Sequence, residues 1–492
     1  MGYRILSIAP TSFFSDYGAH VRILEEIRHL QRRGHTVLLC TYHIGSDVPG
    51  VEIRRSIDVP WKRGVMVGSS RHKLYFDLAL AATVQRAAAD FKPDIVHAHI
   101  HEGALLGWTV RAVRNRPLVF DYQGSMTAEM LDHSFIRKAS PLLPPLRWLE
   151  RRLDLAADAI ITSSHNAERV LRAATKDYSN RITTVPDAVN TQSFAPPSTE
   201  VEAIACRALK QSLGVPLDRR VVVYLGLLAP YQGTDLLLEA ASIIINEWGR
   251  HDVHFLVMGF PGVDTYRSQA DTLGLNGYVS FPGRIPYADA PRFLAVGDVA
   301  VAPKLSLTEG AGKIGNYMAM GLPVVAFDTP ISHEFLGDLG IYARSGDSRS
   351  LAAQLLASID SPDGGKALGL RLRAKAVREL SWDDAIQSIE AVYEQARARR
   401  AGRSIPAPRL KQTALLPQSQ AAQASTARGN GRIVTPANEL STPPAIQLPA
   451  TSPNGRMAKN RSDISPPSGT LDAHAARFSL PLTSHRITDH LE

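Results

Sequence analysis

Cysteine is scarce in this sequence, with Cys40 and Cys206 the two examples among 492 residues. Two cysteines cannot build a disulfide framework or a cysteine-based zinc cluster, and their scarcity fits a reducing cytoplasm. No stretch approaches the ~20 apolar residues that a membrane-spanning helix needs. The apolar run from Tyr3 to Pro10 is too short for a signal-peptide core and predicts a buried strand instead. We therefore expect a cytoplasmic protein.

Concentrated charge is also missing. The net charge is +8, but the basic residues are scattered and no nucleic-acid-binding motif surrounds them, so nucleic acid is not expected as a partner. A positive surface can still attract an anionic membrane. Hydrophobic residues make up 44% of the chain and charged residues 21%, as in ordinary globular proteins. The length exceeds one core and predicts two domains with additional sequence.

Strands and helices alternate twice along the chain. The first series begins with a strand at Arg4–Ala9 and an amphipathic helix at Ala19–Arg33, and the second begins with a strand at Arg220–Leu225 and a helix at Thr234–Trp248. This alternation predicts two α/β, doubly wound, Rossmann-like domains at residues 1–190 and 191–381. Ligands of such domains bind at the carboxyl ends of the strands, here in a central cleft. The other predicted elements are a helix at Leu74–Ala89 and strands at Thr36–Cys40, Asp94–Ala98, Leu118–Tyr122, Val253–Met258, Val279–Phe281, Val299–Ala302 and Val324–Phe327.

The composition changes near the C-terminus. A last helix is predicted at residues 382–400. From Ser404 onward the chain is rich in Pro, Ser, Thr, Ala and Gln and has little apolar periodicity. Residues 401–492 are therefore predicted to be a disordered tail.

A glycine lies between the first strand and the first helix. Gly18, within Ser15–His20, would let the backbone approach a ligand at a helix N-terminus that favours anions. The second and third glycines of a dinucleotide fingerprint are missing. An anion site and a simple turn therefore both remain open.

Three histidines alternate at the end of a predicted strand. His97, His99 and His101 share one face if the chain stays extended, which favours a polar site there. Zinc binding by these imidazoles is a less favoured alternative. Gln123 and Ser125 follow the next strand, where a substrate-orienting loop and a capping turn between Ser125 and Glu129 fit equally well.

The second unit carries the most informative motifs. Gly226 lies between a strand and a helix, where backbone amides can hold a phosphate. The segment from Thr308 to Ala319 then combines glycines with Glu309, Lys313 and Asn316. A lysine can neutralise a diphosphate and a glutamate can accept hydrogen bonds from sugar hydroxyls. A capped helix with solvated charges is the alternative, but the combination favours a binding site.

The order of these motifs over residues 1–400 resembles glycosyltransferase family 4, whose members have the GT-B fold. The resemblance rests on Gly34–Val37, His97–His99, Val185–Phe194 and Glu309–Val325. It implies a retaining transfer of a sugar from a nucleoside diphosphate donor to an acceptor hydroxyl, with neither a metal nor another cofactor. The resemblance also implies a donor domain at 191–381, an acceptor domain at 1–190, and a final helix that packs back toward the acceptor domain.

The resemblance also assigns residues. His99 matches the family's cleft histidine, with His101 as the alternative, and Glu309 matches the first glutamate of the donor-sugar motif. Asn316 stands where a second glutamate is usual. On the acceptor side the cleft contributes His101, Gln123 and Ser125.

The phosphate site departs from the family pattern. Leu227 and Gln232 stand where an arginine and a lysine are usual, so we expect Lys313 to replace the missing cations, with Lys304 or Arg284 assisting. The segment that begins at Arg284 resembles the one that holds the nucleobase. The residues expected to bind the donor are Gly18, Gly226, Gln232, Arg284, Lys313 and Asn316.

Two alternatives remain at the level of function: a sugar-nucleotide epimerase of the same fold, and a degenerate nucleotide-sugar-binding protein. The acceptor is expected to be a glycan or a lipid-linked molecule, held by the loops Pro60–Arg71 and Phe135–Arg147. The second loop carries Leu142, Arg137 and Lys138 and is expected either to touch a membrane surface or to pack as an ordinary loop.

Overall fold

The computed structural model describes residues 2–16, 18–58, 73–132, 135–175, 180–306 and 310–403. Three sequence-based predictions lie outside these residues: the role of Glu309, the acceptor loop Pro60–Arg71, and the tail from residue 404 onward. Within the described residues two parallel β-sheets follow one another along the chain.

The N-terminal domain alternates strands and helices, as the periodicity predicts. Its strands are β1 Arg4–Ala9, β2 Thr36–Thr41, β3 Glu52–Arg55, β4 Ile95–His99, β5 Leu118–Tyr122, β6 Ala159–Thr162 and β7 Ile182–Thr184. Its helices are α1 Gly18–Arg32, α2 Lys73–Phe91, α3 Ile100–Arg114, α4 Met126–Asp132, α5 Leu143–Asp154 and α6 His165–Ala174.

The C-terminal domain repeats the pattern. Its strands are β8 Arg220–Leu227, β9 Val253–Phe260, β10 Val279–Gly283, β11 Val299–Ala302, β12 Val324–Phe327 and β13 Ile341–Ala343. The helices that follow β7 are α7 Glu200–Ser212, α8 Thr234–Ser242, α9 Val263–Thr272, α10 Ala290–Leu294, α11 Gly312–Ala319, α12 Pro330–Leu336, α13 Ser348–Ile359, α14 Lys366–Glu379 and α15 Trp382–Arg400.

Both sheets have the doubly wound strand order. The first runs β3-β2-β1-β4-β5-β6-β7 and the second β10-β9-β8-β11-β12-β13. The order reverses between β1 and β4 and between β8 and β11, and ligands bind at such switch points. The predicted fold class is therefore confirmed. Among the described residues, no helix combines the length and apolar character needed to cross a bilayer.

The last helix packs on the N-terminal domain. On α15, Ile386, Ile389 and Tyr393 are fully buried in the same core cluster as Ile5 and Ile23. The chain therefore returns to its first domain after completing the second, and part of the N-terminal core comes from the C-terminal end of the described residues.

The structure refines three local expectations. The chain does not stay extended after His99, because α3 begins directly at Ile100, whose φ is +56°. The predicted helix Thr234–Trp248 is helical as expected, with an α-helix at Thr234–Ser242 that continues as a π-helix at Ile243–Glu247. The loop Phe135–Arg147 is not a loop throughout, since α5 begins at Leu143.

Candidate active site

A cavity of about 320 Å³ lies between the two domains. Its wall includes residues at or just beyond the carboxyl ends of parallel strands from both sheets. Thr11 follows β1, Gln123 follows β5, Leu227 ends β8, Phe260 ends β9 and Lys304 follows β11. The two switch points therefore face one shared space, and each lies where a doubly wound sheet binds its ligand.

Lys313 lies on the cavity wall beside the position where the family's lysine is missing. Its Nζ is 2.9 Å from Oε1 of Gln232 and 3.1 Å from the hydroxyl of Tyr224. The ammonium also lies 4.3 Å from the centroid of the Tyr224 ring. A Cβ added to Gly226 would come within 2.6 Å of this Nζ. The lysine therefore occupies space that only a glycine leaves open.

The N-terminus of α11 opens onto the same wall. Gly310, Gly312 and Asn316 line the cavity, and the helix begins after Ala311 without a side-chain cap. Uncapped amides at a helix N-terminus attract anions. Lys313 is the second residue of this helix, so its charge adds to that of the amides.

The two cations expected to assist Lys313 have other partners. Lys304 lies on the wall, and its Nζ donates to the carbonyl of Gly310 at 2.7 Å. Arg284 is not part of the wall and pairs with Asp16 at 2.6 Å. A direct contact between Arg284 and the donor is therefore not supported by the geometry.

His99 lies behind the wall. Its side chain is 1% exposed, its Nδ1 is 3.0 Å from Asp121 and its Nε2 is 3.1 Å from the hydroxyl of Ser7. Both ring nitrogens are thus engaged by protein groups. The expectation that His99 contacts the donor sugar does not fit this position.

His101 does reach the wall, from the first turn of α3. Its Nε2 is 3.1 Å from Asp154 and 3.7 Å from Glu150, both on α5. Burial lowers the pKa of His101, but the hydrogen bond and charge of Asp154, with the charge of Glu150, raise the pKa overall. The residue predicted as the alternative to His99 is therefore the one at the cavity.

The turn that carries Gln123 and Ser125 was expected to be either a substrate-orienting loop or a helix cap. Gln123 lines the cavity and donates through its amide nitrogen to Asp121 at 2.8 Å. Ser125 does not line the cavity, and its hydroxyl accepts from the amide of Ala128 at the start of α4. The turn thus supplies both a site residue and a helix cap.

Sequence reasoning missed a buried ion-pair network beneath the wall. Arg22 of α1 lies 3.3 Å from Asp121 and 2.7 Å from Asp187, and both Arg22 and Asp187 line the cavity. Burial raises the pKa of Asp121, but Arg22 and His99 together lower it well below its ordinary value. Arg22 looked like a residue on the polar face of a helix, and nothing local to it identifies partners 99 and 165 residues away.

Within the part of the chain that the structure describes, one group of side chains could hold a metal ion. Glu26, His97, His99 and Asp121 offer ligand atoms that lie within 4.8 Å of one another. These residues already form two histidine–carboxylate pairs, each 3.0 Å long. The guanidinium of Arg22, 3.3 Å from Asp121, opposes a further cation at this cluster.

Two family profiles match the two domains. The description "Glycosyltransferase Family 4" matches residues 17–193, and "Glycosyl transferases group 1" matches residues 219–361. The chain belongs to glycosyltransferase family 4. This glycosyltransferase is 27% identical to D-inositol 3-phosphate glycosyltransferases of Mycobacterium avium over 410 residues and of Mycobacterium bovis over 409 residues. The alignments cover 77% of this chain and 89% and 79% of those proteins.

Solved structures share the fold of this glycosyltransferase. Sucrose-phosphate synthase from Thermosynechococcus elongatus gives a TM-score of 0.67 at 18% identity, covering 81% of this chain and 100% of that one. WaaG, a glycosyltransferase involved in lipopolysaccharide biosynthesis, gives 0.61 at 15% identity with the same coverage. Anabaena HepE, solved in complex with UDP, gives 0.61 at 18% identity, covering 79% and 98%. These similarities show the GT-B fold and, with the family profiles, favour a glycosyltransferase over the epimerase.

Proposed function

We propose that the protein transfers a sugar from a nucleoside diphosphate donor to an acceptor hydroxyl, and that Lys313 holds the donor diphosphate. The observation that carries this proposal is the contact between Lys313 and Gln232 at the cavity wall. The ammonium of Lys313, on α11, therefore lies beside Gln232, where the family usually has a lysine. The similar structures of HepE with UDP and of starch synthase IV with ADP support a nucleotide ligand.

The environment of Lys313 suits a diphosphate. The uncapped N-terminus of α11 and the turn at Gly226 provide backbone amides next to the ammonium. A developing negative charge is stabilised most strongly by donors that are already oriented in a site that excludes water. Asn316 on the same helix can bond a sugar hydroxyl of the nucleotide.

We propose retention of configuration through front-face transfer, in which the departing phosphate helps to deprotonate the acceptor. Among the described residues four acids line the cavity, and three of them are bonded to cations, which makes each a poor nucleophile: Asp16 with Arg284, Glu102 with Lys73, and Asp187 with Arg22. The fourth is Glu129. Closing the domains around the donor would exclude water and suppress its hydrolysis.

The acceptor is proposed to be a glycan or lipid-linked hydroxyl compound that contacts the N-terminal wall. Gln123 and His101 are the two predicted acceptor-side residues that line this wall, and His99 acts through Asp121, which binds both His99 and Gln123. Glu309 remains the residue predicted to bind the hydroxyls of the donor sugar.

We also propose that α5 contacts a membrane surface. Its outer side carries Trp148, 61% exposed, with Arg147, Arg151 and Arg152, while Glu150 is buried. Between residues 135 and 154 the exposed charges are therefore all positive. Exposed apolar and basic side chains on one helix favour an anionic lipid surface.

A thermal-shift panel tests the proposal directly. The full chain is heated with UDP-, ADP- and GDP-sugars and with the matching free sugars, because a true donor raises Tm by mass action. The stabilising donor is then incubated with and without glycan acceptors. We expect transfer that depends on an acceptor. Conversion of the donor sugar without an acceptor would establish the epimerase, and binding without turnover would establish the degenerate protein.

A further inference from the structure

One carboxylate of the N-terminal domain bonds two residues of the C-terminal domain. Oδ2 of Asp16 accepts from Nε of Arg284 at 3.0 Å and from Nη2 of the same guanidinium at 2.6 Å. Oδ1 of Asp16 accepts from the backbone amide of Tyr287 at 2.9 Å. We name this arrangement of Asp16, Arg284 and Tyr287 the clasp.

The clasp lies at the edge of the cavity. Asp16 and Tyr287 are themselves part of the wall, with Gly18 on one side and Ile285 on the other. The clasp therefore joins the turn before α1 to the segment after β10. Both segments are connections between elements, so the clasp is a direct bond between the two domains at the edge of the cavity.

Arg284, one partner of Asp16, also packs on an aromatic ring. The guanidinium of Arg284 lies 5.3 Å from the centroid of the Phe260 ring, and Phe260 is another wall residue. The Asp16 side chain is 13% exposed and that of Arg284 39%. A two-point, charge-assisted bond in this partly dry setting is stronger than an ordinary surface pair.

We propose that Asp16 is a positioning residue whose clasp holds the two domains in the closed arrangement that binds the donor nucleotide. The proposal rests on the proposed function, because it needs a ligand that contacts both walls. When only the closed form binds, the apparent Kd rises by the factor by which the closed population falls. Loss of the clasp therefore weakens binding, while saturating donor restores the closed form and leaves kcat nearly unchanged.

Two variants of Asp16 test the charged bond to Arg284 separately from the whole clasp. Asp16 has φ of +47°, a conformation that asparagine tolerates well. Asp16→Asn keeps an oxygen for the Tyr287 amide but loses the charged bond to Arg284. Asp16→Ala removes both bonds. The matched control is Asp264→Ala, which breaks an aspartate–arginine pair with Arg267 inside α9.

Calorimetric titration with UDP, ADP and GDP measures Kd for the full-length variants. For the nucleotide that the unmodified chain binds, we expect Kd to rise about tenfold in Asp16→Ala and less in Asp16→Asn. Adding Arg284→Ala to Asp16→Ala should raise Kd little further, because the bond to Arg284 is already lost in the single variant. Additive effects, or a rise in KM accompanied by an equal fall in kcat, would overturn the proposal.

Hydrogen exchange tests the clasp without any ligand. The amide of Tyr287 should exchange faster in Asp16→Ala than in the unmodified chain or in Asp264→Ala. Unchanged exchange would show that the clasp does not form, whatever the protein binds. If the unmodified chain binds none of the three nucleotides, the proposed function fails, and the exchange result still decides whether the clasp exists.

Discussion

His20 is a buried, neutral imidazole beside the turn that carries Asp16. Its Nδ1 accepts from the amide of Ser15 at 2.9 Å, in the turn that carries Asp16. Burial, followed by the charge of Arg284, lowers the pKa of His20 to about 3. An unfolded chain protonates this histidine near its ordinary pKa of about 6.5. Its contribution to stability is therefore present above about pH 6.5 and is lost as the pH falls toward about 3.

We predict that His20→Asn reduces the acid sensitivity of folding. The asparagine oxygen can still accept from Ser15 but binds no proton in this range. The free energy of unfolding, measured in urea between about pH 7.5 and about pH 4.5, should fall less steeply in the variant than in the unmodified chain. Equal slopes would show that His20 does not titrate in this way.

Gly226 leaves the space that Lys313 fills. We predict that Gly226→Ala moves the lysine and weakens nucleoside diphosphate binding about tenfold, with little loss of stability. The clash would be with the flexible end of a side chain, at 2.6 Å, so the fold can adapt while the charge is displaced. Gly315→Ala on α11 is the control, since its Cβ would meet neighbours at an ordinary 3.5 Å. Calorimetry and urea unfolding measure the two effects, and unchanged affinity in Gly226→Ala would contradict the assignment.

At the scale of single residues, the sequence predicted the chemical type of a site residue better than its place at the cavity. The missing cation near Gln232 pointed to Lys313, and the two side chains are in contact although 81 residues separate them. The family match of His99 gave no information on the direction of its side chain, which lies behind the cavity wall. Arg22 was missed because its partners are distant in sequence, and such partners have no local signal.

Helix α5 separates its charges by face. Its two acids point inward, Asp154 toward His101 and Glu150 toward Thr127, while its arginines point outward. The face toward solvent is therefore basic as well as apolar, and the face toward the cavity wall is acidic. Anything that binds the outer face lies one helix away from the proposed acceptor side.

We predict that reversing the outer charges of α5 abolishes membrane binding without unfolding the protein. The variant changes Arg147, Arg151 and Arg152 to Glu. The control reverses three exposed arginines of the other domain, Arg207, Arg371 and Arg378. Co-sedimentation with vesicles of phosphatidylglycerol and phosphatidylcholine should decrease strongly for the α5 variant and little for the control. Equal losses would indicate that only net charge matters.

Helices were predicted well where their apolar period was long, and poorly where tertiary contacts decide. Helix α1 was expected at Ala19–Arg33 and lies at Gly18–Arg32. Helix α3 was missed because it follows β4 without a loop, with a single left-handed residue at Ile100 making the turn. The alternating polar residues of His97–His101 do not predict such a turn.

At the scale of the whole molecule, α15 and the N-terminal sheet share one core. Ile389 is fully buried among residues of the N-terminal sheet. We predict that Ile389→Ala destabilises the N-terminal domain by about 2–5 kcal/mol, as expected for a large-to-small core change. Hydrogen exchange should show faster opening of β1 and β6, and Leu370→Ala, at an exposed position of α14, serves as the control. Changes confined to α15 would contradict the shared core.

The architecture as a whole followed from the sequence because repeated alternation of strands and helices permits few arrangements. The family assignment is likewise confirmed. The return of the last helix to the first domain had been expected from resemblance alone, and its physical reason is the burial of Ile386 and Ile389 in the N-terminal core. A hydrogen bond of 2.8 Å between Tyr393 and His97 adds to this packing.

The most direct test of the central claim is a calorimetric titration of the stabilising nucleoside diphosphate into three full-length proteins: the unmodified chain, Lys313→Ala, and Lys366→Ala as an exposed-lysine control. Loss of a charge-assisted bond to phosphate predicts a Kd about 10- to 100-fold higher for Lys313→Ala, with the control unchanged. Unchanged affinity in Lys313→Ala would contradict the account of the phosphate site.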